Sequence, residues 1–524
     1  MQGIKPRTSK LFYQFSLEET IPGEHPLRRI DQGLDLRFLY ALTRPYYGAE
    51  GQQSIDPVVF FKLCLLGYLQ NISRDRALMR YCADSLSARW FIGYDIDEPL
   101  PCHSTLSRTR ALFGPQVYQQ VFLEVLALCV DAGLVDGDCQ VADSALVKAN
   151  ADIASMQRTI VLEKAEGWCR QVVEENIDEG AGAEASAEMQ SVELPEPDAK
   201  PKKQPKSNAT HRCTSDPDAR IAAKPGKPTG MYYHGQVSVD ARLGVITAAL
   251  GDYGDRQDGQ SFQPLMQRMQ ANLGACSLSP RQVVADAGYS SAANLQWSQQ
   301  AGLTAYIPNP SGYTPERPGF SWHPQGDYYE CTQGVRLSFR GEKQNKNQRK
   351  RLYRSSAKDC AGCPLKASCI TGKSACKQLT HAAGKPWYDQ MAGRLATAKG
   401  KRMISRRKAI VEPVLGSLLG DYGMRKVYAR GRAAADKHVT LASAAMNLKK
   451  WLKHAFRAPK KPAMQASLPL VRPAGSMAGD TSQWMGLSLF AGTVLTGPPK
   501  KYNPNTHHFF SILSFLNVGL CNNH

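Results

Sequence analysis

The sequence predicts an α/β protein whose core follows an all-α helical N-terminal domain and is interrupted by two insertions, the second Cys-rich and β-containing. Three observations carry this prediction. Apolar residues recur at three-to-four spacing before Gly137 and in short alternating runs after it. Residues 174–230 turn acidic and then basic, rich in Glu, Ala, Pro and Lys, a composition that builds no core. Four cysteines cluster between 360 and 376, behind an aromatic, strand-like run at Tyr328, Tyr329, Val335, Leu337 and Phe339.

The elements follow in order. Residues 1–50 are broken by Pro22, Pro26 and Pro45 and read as an arm. Ser54 and Asp56 cap a helix that Pro57 begins and Val58, Phe61, Leu65 and Leu69 stripe. A second helix starts at Ser73, a third runs from Ser104 or Thr105 to Leu112, and a long one covers Val117–Cys129. Residues 1–135 therefore form a helical domain. It either reads DNA through Arg108 and Arg110, as a helix-turn-helix does, or simply packs with two surface arginines.

The core begins in 136–173, with a short strand at Cys139, Val141 and Ala142 that ends at Asp143. Residues 174–230 are an exposed insertion, and 231–310 resume the core. There a hairpin joins Met231–Asp240 to Gly244–Leu250, a helix covers Phe262–Asn272, a strand at Gln282–Ala285 ends at Asp286, and a helix spans Ser291–Ala301. Residues 311–395 hold the cysteines, 396–458 return to core helices, and 459–524 are an irregular tail.

With 524 residues, 42% of them apolar, the chain can bury more than one core. Its 65 Lys and Arg exceed 46 acids, a formal net charge of +19 that makes nucleic acid the expected partner. The stretch 335–460 alone has 30 basic and 6 acidic residues and is the expected polyanion face. No apolar run reaches the roughly 18 to 20 residues of a membrane helix, and no signal peptide is legible, so a cytoplasmic protein without membrane contact is expected.

Asp143, Asp286 and Glu412 are acids where a core face would take an apolar residue. Three carboxylates on rigid elements can hold two Mg²⁺ ions for phosphoryl transfer, with the metal charge offsetting their repulsion. Asp138, Asp252, Asp255 and Asp258 lie among glycines and read as turn residues. Cys360, Cys363, Cys369 and Cys376, with Pro364 behind the first pair, have spacings that suit a structural Zn²⁺, with Cys331 or His381 as alternative fourth ligands. The alternative is four reduced thiols.

The stretches VADSALVKANAD (141–152), DPDARIAAKPGKPTGMYYHGQVSVD (216–240), VVADAGYSSAANL (283–295), RRKAIVEPVLGSLLGDYGMRKVYARG (406–431) and ASAAMNLKKWL (442–452) resemble bacterial insertion-sequence transposases of the DDE class. The resemblance runs through about residues 10–455 and implies an RNase H-like catalytic core shared with retroviral integrases. It also implies a Cys-containing insertion before the catalytic Glu, two Mg²⁺ ions for which Mn²⁺ can substitute, and a homo-oligomer on double-stranded DNA made of element terminal repeats and target. By motif, Asp143, Asp286 and Glu412 would be the metal-holding catalytic residues. Relatives carry a Tyr, Arg, Glu, Lys signature around the Glu; here Arg407 or Lys408 covers the Arg, while Ser405 and Leu419 stand where Tyr and Lys are expected. Arg425, Lys426, Arg430, Arg432, Lys449 and Lys450 would supply further phosphate contacts. Two competing functions remain: a remnant or regulator that binds element ends without cutting, and an RNase H-like nuclease that cuts without joining.

Overall fold

The computed structural model describes residues 15–159 and 206–455, apart from 49, 51–53, 225, 346, 347, 371 and 373. Most of the acidic insertion and the whole 459–524 tail lie outside the described residues.

The N-terminal part is helical, and the stretch read as an arm also holds the short helices Leu17–Thr20, Pro26–Gly33 and Phe38–Thr43, which bury Leu27, Ile30 and Leu39 in the core. Asp56 accepts hydrogen bonds from the Val58 and Val59 amides at 2.6 and 3.2 Å, and Pro57 opens the helix Pro57–Leu69, whose apolar residues are buried on nearly every side. The helix predicted from Ser104 spans His103–Leu112, and the long one spans Pro115–Asp131. These helices share one continuous apolar core with the sheet and the C-terminal helix Arg432–Ala455. That helix is buried along most of its length because it packs at once on the sheet and on Pro57–Leu69 and Pro115–Asp131.

The central sheet contains β1 (Cys139–Lys148), β2 (Gly230–Asp240), β3 (Ile246–Tyr253), β4 (Gln282–Val284) and β5 (Thr304–Tyr306). Their order across the sheet is β3-β2-β1-β4-β5. The β3/β2 and β2/β1 pairs are antiparallel, and the β1/β4 and β4/β5 pairs are parallel. The hairpin predicted across Ala241–Leu243 is present, with Gly244 at φ +71°. At Gly251 in β3 an added Cβ would fall 2.4 Å from the Asp436 backbone nitrogen, so only glycine lets the C-terminal helix approach this closely. The Gly251 amide donates to Asp436 Oδ1 at 2.8 Å, and Arg268 pairs with the same carboxylate at 3.0 Å.

Two predictions are corrected here. The first strand does not end at Asp143 but runs on to Lys148, because β2 is long enough to pair with it throughout; Asp143 faces Val237 in mid-strand. Residues 206–230 are not all exposed insertion: His211–Cys213 pairs with Met156–Arg158, and Arg220–Ala222 pairs with the start of β2. Asp216, fully buried, accepts from the Tyr233 hydroxyl at 2.7 Å and the Gly431 amide at 3.1 Å, which ties this segment to the core.

The Cys-containing insertion carries an antiparallel five-stranded sheet in the order Gln378–Ala382, Gln348–Arg354, Arg336–Asn345, Tyr328–Cys331, Phe320–His323. Its own small core is Tyr329, Leu337, Tyr353 and Leu379.

Candidate active site

Two parallel neighbouring strands bring Asp143 and Asp286 together. Asp143 lies in the middle of β1; Asp286 follows β4 and caps the turn Ala287–Tyr289 by accepting from the Gly288 amide at 2.9 Å. Burial pushes the Asp143 carboxyl up from its ordinary range and the neighbouring Asp286 charge adds to this. The Ser144 amide and Arg407 oppose the shift, with the Arg407 guanidinium 2.8 Å from Asp143 Oδ2.

A third carboxylate stands beside them that sequence reasoning assigned to a turn. Asp258 Oδ1 accepts from the Ser144 hydroxyl at 2.6 Å and Gln236 Nε2 at 3.1 Å, and lies 3.2 Å from His234 Nε2. Its other oxygen is 3.9 Å from Lys224 Nζ. Burial holds His234 below its ordinary pKa, and the ring also faces Lys224 Nζ through Nε2 at 3.1 Å and the Arg256 carbonyl through Nδ1 at 3.2 Å. A Cβ on Gly288 would sit 3.1 Å from both Asp258 Oδ2 and Asp286 Oδ1, so glycine leaves the space between these carboxylates open. Tyr289 is fully buried beneath them; its hydroxyl donates to Gln236, and burial followed by Asp258, Asp143 and Asp286 raises its pKa well above the usual value. The one sequence signal for Asp258 was its position opening the helix Asp258–Ala275, and a helix start is also where ordinary capping acids fall.

Glu412 lies in the helix Ala398–Gly420, as predicted. Val411, Val414 and Leu418 bury one face of that helix and Glu412 is exposed, while Arg407, five residues earlier, is the residue that reaches Asp143. As placed, among the described residues no three His, Cys, Asp or Glu side chains converge closely enough to hold a metal ion. Arg407 instead supplies the positive charge at Asp143.

The basic residues divide. Arg108, Lys408, Arg425, Arg430, Arg432 and Lys449 are exposed, and Lys426 is half-buried over the Tyr428 ring at 5.1 Å. Arg110 is corrected: it turns inward to a bidentate pair with Asp75, both bonds 2.8 Å, because it lies on the face of its helix toward Asp75–Asp84. Lys450 is corrected as well: its ammonium donates to the Leu243 carbonyl at 2.9 Å, closing the β2–β3 hairpin, and burial lowers its pKa. Arg407 belongs to the carboxylate site rather than to an open basic face.

The cysteines fall in two places, and the alternative fourth ligand, Cys331, is near three of them. Cys360, Cys363 and Cys369 line one small cavity, but the fourth cysteine there is Cys331. Cys376 lies instead with its sulfur 2.7 Å from Arg354 Nε, which lowers the thiol pKa.

Residues 15–112 match the family described as a Transposase domain (DUF772), and residues 330–452 match the family described as a Transposase DDE domain. The second match contains most of the inserted sheet, the cysteine cluster and Glu412; Asp143 and Asp286 fall between the two. No curated protein matches the chain. A transposase domain and a transposase DDE domain, matched in this order on one chain, support an insertion-sequence transposase of the DDE class.

Proposed function

We propose that the protein binds the ends of its insertion element, cuts them and joins them to target DNA by metal-dependent phosphoryl transfer on an RNase H-like core. The observation that carries this reading is the pair Asp143 and Asp286 on adjacent parallel strands, in a mixed sheet whose order β3-β2-β1-β4-β5 agrees with that core. The donor set fits Mg²⁺, with Mn²⁺ as substitute: hard carboxylate oxygens, gathered where burial and mutual repulsion favour an added cation. Asp143 and Asp286 would hold the ions, and Glu412 would be the third ligand by its place in the motif. When bound, the ions would lower the pKa of an attacking water or 3′-hydroxyl and stabilise the charge on the phosphate.

The chain's own residues supply the rest. Ser144 and Gln236 fix Asp258 beside Asp286, and buried Tyr289 stiffens the floor below both. Arg407 keeps the Asp143 carboxyl paired until a cation takes its place. Exposed Arg425, Arg430, Arg432 and Lys449 offer phosphate contacts along the DNA, on which a homo-oligomer would pair two element ends.

A binding-only remnant is the second reading, favoured by Ser405 and Leu419 where relatives carry Tyr and Lys. The test is incubation of purified protein with its own element's end fragments and Mg²⁺, beside an Asp286→Ala control, on a denaturing gel. Cleavage absent from the control supports the proposal. Tight, salt-sensitive binding without cleavage selects the remnant. Cleavage without strand transfer into a supercoiled plasmid selects the nuclease.

A further inference from the structure

A cleft of about 1270 Å³ lies between the inserted sheet and the start of the helix Ala292–Gln300. It exceeds the roughly 300 to 1,000 Å³ of a small-molecule pocket and has room for an extended chain. One end reaches Gln257 and Ser290, the immediate neighbours of the Asp258 and Asp286 segments. Its lining includes Arg317, Arg349, Lys350 and Lys385 and no acid.

These cations are not equally available. Lys385 is buried and spends its charge on Asp389 at 2.8 Å, and Arg317 donates to the Thr380 carbonyl at 2.7 Å. Arg349 is 71% exposed and pairs with Glu342 on the neighbouring strand; Lys350, the next residue of the same strand, is half-buried and also lines the cleft. Tyr313 and Tyr388 form an aromatic wall, their rings 5.1 Å apart at 53°. Both hydroxyls are engaged, that of Tyr313 with Asp389 and that of Tyr388 by the Ala292 amide, which fixes the rings in place. The Ser290 hydroxyl on the same wall is buried without a hydrogen-bond partner.

Basic side chains at the rim and fixed aromatic rings suit a DNA strand with unpaired bases: phosphates pair with the cations and bases stack on the rings. A fully paired duplex would offer its bases no access to those rings. We infer that this cleft is a binding site for a single-stranded stretch of the DNA substrate, leading to the Asp286 segment, with Arg349 and Lys350 on its phosphates and Tyr313 and Tyr388 on its bases. The inference rests on the reading of Asp143 and Asp286 as the reacting site and adds to it a strand path that the inserted sheet provides.

The test compares two fluorescent probes, a short blunt duplex and the same duplex with an oligothymidine 3′ tail, by anisotropy over a range of salt. The wild type should bind the tailed probe more tightly. Arg349→Ala/Lys350→Ala should lose about tenfold on that probe, the scale of two phosphate contacts, and its salt slope should fall by about 1.4. Lys358→Ala/Lys366→Ala removes the same charge from exposed sites outside the cleft and should leave the tail preference intact. A 5-iodouracil in the tail should cross-link to Tyr313 or Tyr388. Equal loss in both double variants, or full tail preference in the cleft variant, would overturn the inference. Wild-type binding without tail preference would overturn it while leaving the proposed function standing. Failure to bind either probe would overturn both.

Discussion

Acid should loosen the junction between the two matched transposase segments, and His438 is the reason. It lies in the C-terminal helix, fully buried, with Nδ1 2.8 Å from the hydroxyl of Tyr68 in the helix Pro57–Leu69. Burial, followed by the nearby Arg110 charge, lowers its pKa from 6.5 to about 4. A folded-state pKa below the unfolded one means that the neutral ring favours the folded state. That stability is complete above about pH 6.5 and is lost as pH falls toward 4. At pH 5 the unfolded state is almost wholly protonated at this site and the folded state hardly at all, so about 2 kcal/mol is lost relative to neutral pH. The variant His438→Gln keeps a polar group near Tyr68 and removes the titration. Urea unfolding followed by tryptophan fluorescence near neutral pH and near pH 5 should show the variant's stability falling about 2 kcal/mol less than that of wild type. His381 and His234 also have lowered pKa values, but they are present in both proteins and cancel in the difference. Equal pH dependence in the two proteins would refute the reasoning.

Asp75→Ala should destabilise the N-terminal helices by about 3 kcal/mol because Arg110 is left without its partner, and Asp75→Ala/Arg110→Met should recover much of the loss in a thermal melt. Asp143→Asn and Asp286→Asn should each abolish end cleavage while leaving the melting temperature and DNA affinity near wild type; cleavage by either variant removes that residue from the site. Gly288→Ala places a methyl 3.1 Å from Asp286 Oδ1 and Asp258 Oδ2 and should cut the cleavage rate at least about tenfold without unfolding the protein, checked by circular dichroism. Asp258→Asn should slow cleavage as well, whereas Asp255→Asn, at a 37% exposed side chain outside the carboxylate group, should not.

Much of the architecture was legible because period and capping are local. Asp56 and Pro57 start their helix as predicted, the β2–β3 hairpin follows from two alternating runs, and Asp286 caps the turn after its strand. What was misread depended on partners far away in sequence. Asp143 reads as a strand end until β2 is seen pairing through to Lys148. Arg110 reads as a surface arginine until Asp75 is seen facing it, and Lys450 until the Leu243 carbonyl is. Asp258 resembles its glycine-flanked neighbours at 252 and 255, and only the approach of Ser144, Gln236 and His234 sets it apart.

By itself the sequence determined a basic, multi-element α/β chain, the strand and helix pattern, and the motifs around Asp143, Asp286 and Glu412. These are properties of short windows, in which side-chain spacing selects the backbone conformation. The tertiary structure alone decided that the N-terminal helices share a core with the sheet, that Arg407 rather than Glu412 meets Asp143, and that Cys331 lines one cavity with Cys360, Cys363 and Cys369. It also decided that the inserted sheet closes a basic cleft onto the Asp286 segment. The physical reason is common to all four: burial, charge pairing and cavity shape arise between groups brought together by packing, and no sequence window contains both partners.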